Sequence, residues 1–182
     1  MCRAKFSPSA HVSSQQNSGF SMLELMITLT VASILLSMAA PNMIEFIRSQ
    51  SMTTQANEMV ATLSHVRSEA IRRNTAITFC RIASKEASTC ASGDVPWQYW
   101  MAITHSHTQR TVISRGEVSS MSGMKQTANF NSVIFGADGI TRVNGRVVNN
   151  HFIQIRAGNK SRCLSLGPGS RYSVSTVEGN CQ

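Results

Sequence analysis

Two hydrophobic patterns meet in the first third of the chain. The tract at residues 19–40, GFSMLELMITLTVASILLSMAA, is apolar on every side of a helical projection and long enough to cross a bilayer. Beyond Pro41 the pattern narrows to a stripe. Met52, Ala56, Met59, Val60, Leu63, Val66, Ala70 and Ile71 recur at three- and four-residue steps, which predicts a helix with one buried face. Gln55, Glu58, Thr62, Arg67, Glu69 and Arg73 fall on the opposite face. A single helix from about Phe20 to Arg73 would run roughly 80 Å, with Asn74 as its stop. The stripe is too short, and its side chains too small, for a heptad coiled coil.

The pattern then changes to strand character. Residues 75–82 alternate, residues 97–105 are aromatic and β-branched, and residues 110–114 form a short run. Further strands are expected at residues 132–135, 141–143, 146–148, 152–156, 162–166 and 171–177. Asp138-Gly139 and Asn144-Gly145 are turn dipeptides, the second suited to a type I′ hairpin. Residues 119–131, SSMSGMKQTANFN, are polar and poorly patterned and read as a loop. The expected fold class is α+β: a long N-terminal helix packed on a mostly antiparallel β-sheet head.

Glu24 is the anomaly in the apolar tract. A carboxylate at the centre of a membrane helix costs roughly 2.5–3.5 kcal/mol, less towards its end, so a plain anchor has no reason to carry one. Arg3 and Lys5 precede it without any acid, which places the first residues in the cytoplasm and the remainder outside. A secretory signal peptide cut after Ser37-Met38-Ala39-Ala40 is disfavoured by Pro41 and by the length of the run. An ordinary signal anchor accounts for the run but not for Glu24 or the Gly19-Phe20 junction.

Taken together, Gly19, Phe20, Glu24, the run at residues 25–40 and Pro41 resemble the N-terminus of type IV pilins and type II secretion pseudopilins. The resemblance implies a leader at residues 1–19, cut between Gly19 and Phe20 by the prepilin peptidase, which also N-methylates Phe20. It implies a transmembrane and later filament-core helix at 20–50, kinked at Pro41, and a head at 51–182. Glu24 would set register by pairing with the N-terminal amine of an adjacent subunit. Ser18 stands where the family often has Lys or Arg.

In the head, ITFCRI at Ile77–Ile82, then Cys90, Trp97 and Trp100, and VIFGADGITRVNG at residues 133–145 resemble the FimT, FimU and GspH branch of minor pilins and pseudopilins. Tyr99 replaces a Gly often found before the second Trp. The branch implies the type IV pilin fold. It also implies a minor pilin at or near a pilus tip that helps to prime assembly, held in the bacterial inner membrane with its head in the periplasm before it joins the filament. The implied partners are the prepilin peptidase/methyltransferase, the major pilin and other minor pilins, the inner-membrane assembly platform, and lipid before assembly. A type II secretion pseudopilin is an alternative.

Composition modifies this in three places. The 182 residues carry a net charge of +8, or 8 − 2 = +6 without Arg3 and Lys5. From residue 140 onward six basic residues face one acid, Glu178, a gradient that suits polyanions or an acidic neighbour as well as plain solvation. Some FimT-like relatives bind DNA through a C-terminal GRxR motif, which makes DNA a second alternative. Here Gly169-Ser170-Arg171-Tyr172-Ser173 has Ser170 inserted and lacks the second arginine. Lys160, Arg162 and Arg171 would still supply phosphate contacts, and Tyr172 a stacking surface.

Cys2 belongs to the leader, leaving Cys80, Cys90, Cys163 and Cys181, which allow three connectivities. The local pairs Cys80–Cys90 and Cys163–Cys181 need least rearrangement, each contributing on the order of 3 kcal/mol. There is no CxxC pair, and His105 and His107 give only an HxH, so no metal is expected. His11, His65 and His151 read as solvated or hydrogen-bonded. With no GxSxG, HExxH, P-loop or GxGxxG, and charged residues at 14% of the chain, neither an enzyme nor a cofactor is expected.

Overall fold

A computed structural model describes residues 19–93, 96–105, 110–118 and 123–181, with the side chains of residues 39–42 and 105 excepted. The leader before Gly19, His11 and His107 therefore lie outside the described residues. The chain divides into two compact units, Met1–Asn42 and Met43–Gln182. In the first, the described residues are the start of helix α1 (Met22–Arg72). The second holds the rest of α1 and, among the described residues, ten strands.

Asn74 ends α1 as expected. It takes a left-handed φ of 47°, and the bonds Thr75 N–H to Ala70 O (3.1 Å) and Asn74 N–H to Ile71 O (3.1 Å) close a Schellman motif around it. The strands then form two antiparallel sheets rather than one. The first, in order β3-β2-β1-β5-β6-β7, is built from β1 (Ile77–Ile82), β2 (Tyr99–His105), β3 (Arg110–Glu117), β5 (Ser132–Phe135), β6 (Thr141–Val143) and β7 (Arg146–Val147). The second, in order β10-β9-β8-β4, is built from β4 (Lys125–Ala128), β8 (His151–Ala157), β9 (Lys160–Gly167) and β10 (Arg171–Glu178).

β4 corrects the expectation of an unbroken loop at residues 119–131. Lys-Gln-Thr-Ala has little strand propensity of its own, and pairing with β8, Gln126 opposite Ile155, organises it. Trp97 and Gln98, expected in a strand, form a turn before β2. The Asn144-Gly145 hairpin is present, with φ of 52° and 77° at its centre and Val143 opposite Arg146.

The stripe on α1 buries as its spacing requires. Met59, Leu63, Val66 and Ala70 pack in one cluster with Phe79 and Phe135 of the first sheet and Ile153, Leu164 and Leu166 of the second. Lower on the helix, Met52 and Ala56 pack with Ile155 and Ala157 of the second sheet. Two positions depart from the pattern: Ile71 is exposed and Gln55 is buried.

β1 is buried at all six positions because both of its faces are covered. Ile77 and Phe79 face the main core, while Cys80 and Ile82 join Met101 and Ile103 on the other side, with Ala87 and Tyr99 packed against them. The Cys80–Cys90 disulfide, Cα–Cα 5.7 Å, holds that loop across the sheet. The second bridge, Cys163–Cys181 with Cα–Cα 5.8 Å, fastens the C-terminus to β9.

Gly116 lies opposite Trp100, and a Cβ there would meet the indole at 2.2 Å. Gly116→Ala should therefore push Trp100 from its tilted contact with Phe79 (centroids 5.1 Å apart) and destabilise the head by about 1–3 kcal/mol. Chemical denaturation monitored by tryptophan fluorescence measures this; an unchanged midpoint and emission spectrum would show the packing to be slack.

Candidate functional site

The start of α1 combines a cap with an acid. Ser21 precedes the first helical residue, and its Oγ accepts the Glu24 N–H at 3.2 Å. Ser21-Met22-Leu23-Glu24 thus has the spacing of a capping box, and the bond formed is its Ser21 half, to the Glu24 backbone N–H. The signal was present as S-x-x-E before an apolar run. Glu24 is exposed, as are Gly19 and Phe20, the latter at 81%.

Downstream, the polar groups of the apolar run are turned inward. Thr28, Thr30, Ser33 and Ser37 each donate a hydroxyl proton to the carbonyl three residues back, at 2.7–2.9 Å. The hydroxyls are thereby satisfied within the helix, as an apolar surrounding demands. Leu23, Leu25, Met26, Ile27, Leu29 and Val31 all point outward with more than half their surface exposed. Neither stretch of α1, Met22–Met38 or Met43–Arg72, is long and apolar enough alone to cross a membrane; the two together are, by length and composition. Pro41 lies within the helix; its missing N–H leaves the Ser37 carbonyl without its usual helical donor.

The candidate DNA-binding residues lie on β9 and β10, and most are engaged inside the head. Lys160 Nζ pairs with Glu45. Arg162 reaches the helix, donating to Thr53 Oγ1 at 3.1–3.2 Å and to Ser49 Oγ at 3.4 Å, and also bonds Thr176. Tyr172 packs its ring against the main core, and burial raises its phenol above the ordinary value. The ring is therefore committed to packing rather than to a base. Of the three cations, Arg171 alone has no side-chain partner among the described residues; it is exposed. Nearby, Arg142 holds Asp138 down to about 2 through a paired contact at 2.6 Å.

Ser170, the residue that breaks the GRxR-like pattern, is a buried junction. It adopts a left-handed φ of 58° in the β9–β10 turn. Its Oγ donates to Gly139 O at 3.0 Å and accepts the Thr141 N–H at 3.1 Å, with Thr141 Oγ1 2.6 Å away. Arg67 on α1 completes the junction, donating from Nε to Gly139 O at 2.9 Å and from Nη1 to Ser170 O at 3.4 Å. Glycine suits position 139, whose φ of 73° strains other residues, and a Cβ there would press on Ile71 Cδ1 at 2.9 Å.

Among the described residues no group of three or more His, Cys, Asp or Glu side chains could hold a metal ion.

A capped, all-round apolar helix that continues into a head with one striped face and two antiparallel sheets defines the pilin class of filament subunit. The sequence matches a family described as type II transport protein GspH over residues 55–170, and the prokaryotic N-terminal methylation motif over residues 14–40. The chain belongs to the GspH family. No curated protein gives a significant match.

Among solved structures, the type IV minor pilin FimU of Pseudomonas aeruginosa aligns at 17% identity with a TM-score of 0.52, covering 71% of this chain and 92% of that one. It shares the fold. The minor pseudopilin EpsH of the Vibrio cholerae type 2 secretion system aligns at 6% identity with a TM-score of 0.48, covering 70% of this chain and 97% of that one. That overlap is too loose to carry an argument. The protein is thus a minor pilin or pseudopilin of the type IV pilus or type II secretion family, a class of structural subunits that act with other pilins in a filament. Its methylation motif and N-terminal helix fit membrane anchoring.

Ser170→Ala removes the hydroxyl from the junction while keeping the left-handed backbone. It should destabilise the head by about 1–3 kcal/mol, the cost of stranding buried partners. A Ser170→Ala/Thr141→Val double-mutant cycle in urea measures the coupling, and additivity would mean that the two hydroxyls act independently.

Proposed function

We propose that this protein is a minor pilin of a type IV pilus, incorporated at or near the tip and helping to prime assembly. The prepilin peptidase cuts between Gly19 and Phe20 and methylates Phe20, and the subunit waits in the inner membrane with its head in the periplasm. Assembly moves α1 from lipid to a core of like helices, where Glu24 meets the N-terminal amine of an adjacent subunit. Alone, a carboxylate buried in that core is strongly unfavourable; paired with the amine, its cost is offset. Pro41 loosens the helix where the anchor gives way to the head. The observation that carries the reading is Glu24, exposed in the first turn of a helix whose run from Met22 to Met38 holds no other charged residue and whose hydroxyls there are bonded inward.

The family match supports a second reading, a type II secretion pseudopilin. Deletion separates the two: a pilus subunit costs the cell its surface pili, whereas a pseudopilin strands secreted enzymes in the periplasm. A DNA-uptake role receives less support, because Lys160, Arg162 and Tyr172 are occupied within the head. In a gel-shift assay, duplex DNA should show no salt-sensitive retardation by the protein. Retardation lost in Arg162→Ala/Arg171→Ala would favour the DNA-binding reading instead.

Glu24→Ala strands the partner amine, a loss of about 3–5 kcal/mol, so incorporation into sheared filaments should fall at least about tenfold while membrane insertion persists. Glu24→Gln tests charge at constant shape and should also fail. Ser21→Ala removes only the cap, about 1 kcal/mol, and should assemble nearly normally. Normal assembly of Glu24→Ala would rule the docking mechanism out; equal failure of Ser21→Ala would assign Glu24 to helix capping.

A further inference from the structure

A groove on the head belongs to neither the N-terminus nor the basic face. A cavity of about 490 Å³ opens beside β4, lined by Arg81, Trp97, Val118, Lys125, Gln126 and Ala128 among others. β4 is the last strand of its sheet. β8 pairs with one side of it, and among the described residues no strand pairs with the other. Its outer row of backbone N–H and C=O groups therefore faces away from the sheet.

The lining carries an unusual set of polar atoms. Trp97 is 2% exposed and Gln126 5%, yet Trp97 Nε1 and both Gln126 Nε2 and Oε1 have no hydrogen-bond partner. Buried polar atoms in folded proteins are nearly always satisfied; these three, closed off beside the cavity, would gain partners by turning towards a segment seated in it. Their chemistry says which. The Gln126 amide offers a donor and an acceptor side by side, the complement of a peptide group, and the indole N–H adds a donor for a carbonyl. Val118, Ala128 and the indole give an apolar wall. Among the described lining residues the charged ones are Arg81, which donates to Gly93 O, and Lys125, which is exposed, and none is an acid.

We propose that this groove takes an extended peptide segment of a partner subunit, added as a strand along the free edge of β4. One peptide group of the segment pairs with the Gln126 amide, an apolar side chain lies against Val118 and Ala128, and an acidic residue sits beside Lys125. Strand addition of this kind draws affinity from main-chain bonds and specificity from the side-chain pocket. A small apolar ligand would fill the wall but leave the strand edge unused.

The full-length protein in detergent micelles is titrated by fluorescence polarisation with short labelled peptides tiling the other pilin-like subunits of its host. At least one apolar peptide with an acidic flank should bind. Gln126→Leu should weaken that binding about tenfold while leaving the melting temperature unchanged or raised, since it removes two orphaned atoms. With the wild-type protein, N-methylation of the peptide amides that face β4 should abolish binding, and methylation of the alternate amides should not. Absence of any binder, indifference to Gln126→Leu, or equal tolerance of both methylation sets overturns the proposal; the last would indicate a pocket for a side chain or small molecule. Glu24 plays no part in this assay, so its failure and the failure of filament docking are distinguishable.

Discussion

The face of α1 between Met52 and Ala70 is shared by two sheets, and the head exists because of it. Each large apolar side chain buried there contributes about 1.5–3 kcal/mol, and the small residues Ala56 and Ala70 let the strands come close. The second sheet runs along the face from Met52 upward, and the first joins it from Met59. Among the described residues neither sheet has another layer on this side. Without the helix both would present an apolar face to water, so helix and sheets form one cooperative unit.

Polar contacts fix how the two sheets meet. Arg67 reaches from α1 to the β5–β6 turn at Gly139 and to the β9–β10 turn at Ser170, while Ser170 Oγ bonds Gly139 O and the Thr141 N–H. Two side chains, Arg67 and Ser170, thus satisfy backbone groups of turns that belong to the two sheets. This explains why a serine interrupts the basic C-terminal motif: the position is structural, and an arginine there would be forced into the core. Arg162 and Lys160 act similarly lower down, tying β9 to the helix through Thr53, Ser49 and Glu45.

The periodicity of α1 and the Asn144-Gly145 hairpin were legible in the sequence because each is a local pattern written within a few residues, whereas β1, read as alternating, is buried on both faces only because the rest of the head covers them. The conformation of Asn74 was legible for the same reason. β4 was not, because Lys-Gln-Thr-Ala becomes a strand only through β8, some 25 residues later, and Gln126 occupies an inward position that a hydrophobic pattern assigns to an apolar residue. The division into two sheets is likewise a property of strand order. The use of Arg162 was hidden by distance: its partners Ser49 and Thr53 lie more than 100 residues away. A basic residue beside an exposed strand reads as a binding charge until the helix beneath it is seen. The Ser21 cap was equally legible as S-x-x-E, and it gives Glu24 two roles: a backbone N–H bonded in the cap and an exposed carboxylate in the first turn.

Those two roles of Glu24 act in one direction. A helix N-terminus carries roughly half a positive charge, which favours a carboxylate in the first turn and disfavours a cation there. Cutting before Phe20 would place a new positive amine one residue before the Ser21 cap, at the end of the helix that repels it. Glu24 is therefore at ease in its own subunit, whereas the amine is not. Methylation of that amine keeps its charge and removes none of the repulsion. Once cut as proposed, the subunit would carry an electrostatic imbalance at its tip, with a cation at the helix N-terminus and the Glu24 carboxylate in an exposed, capped turn. In a low-dielectric core of stacked helices that imbalance grows, because both the repulsion and the pairing strengthen as water is excluded. On the proposed assembly, the arrangement would drive each amine towards a neighbour's acid and so fix axial register.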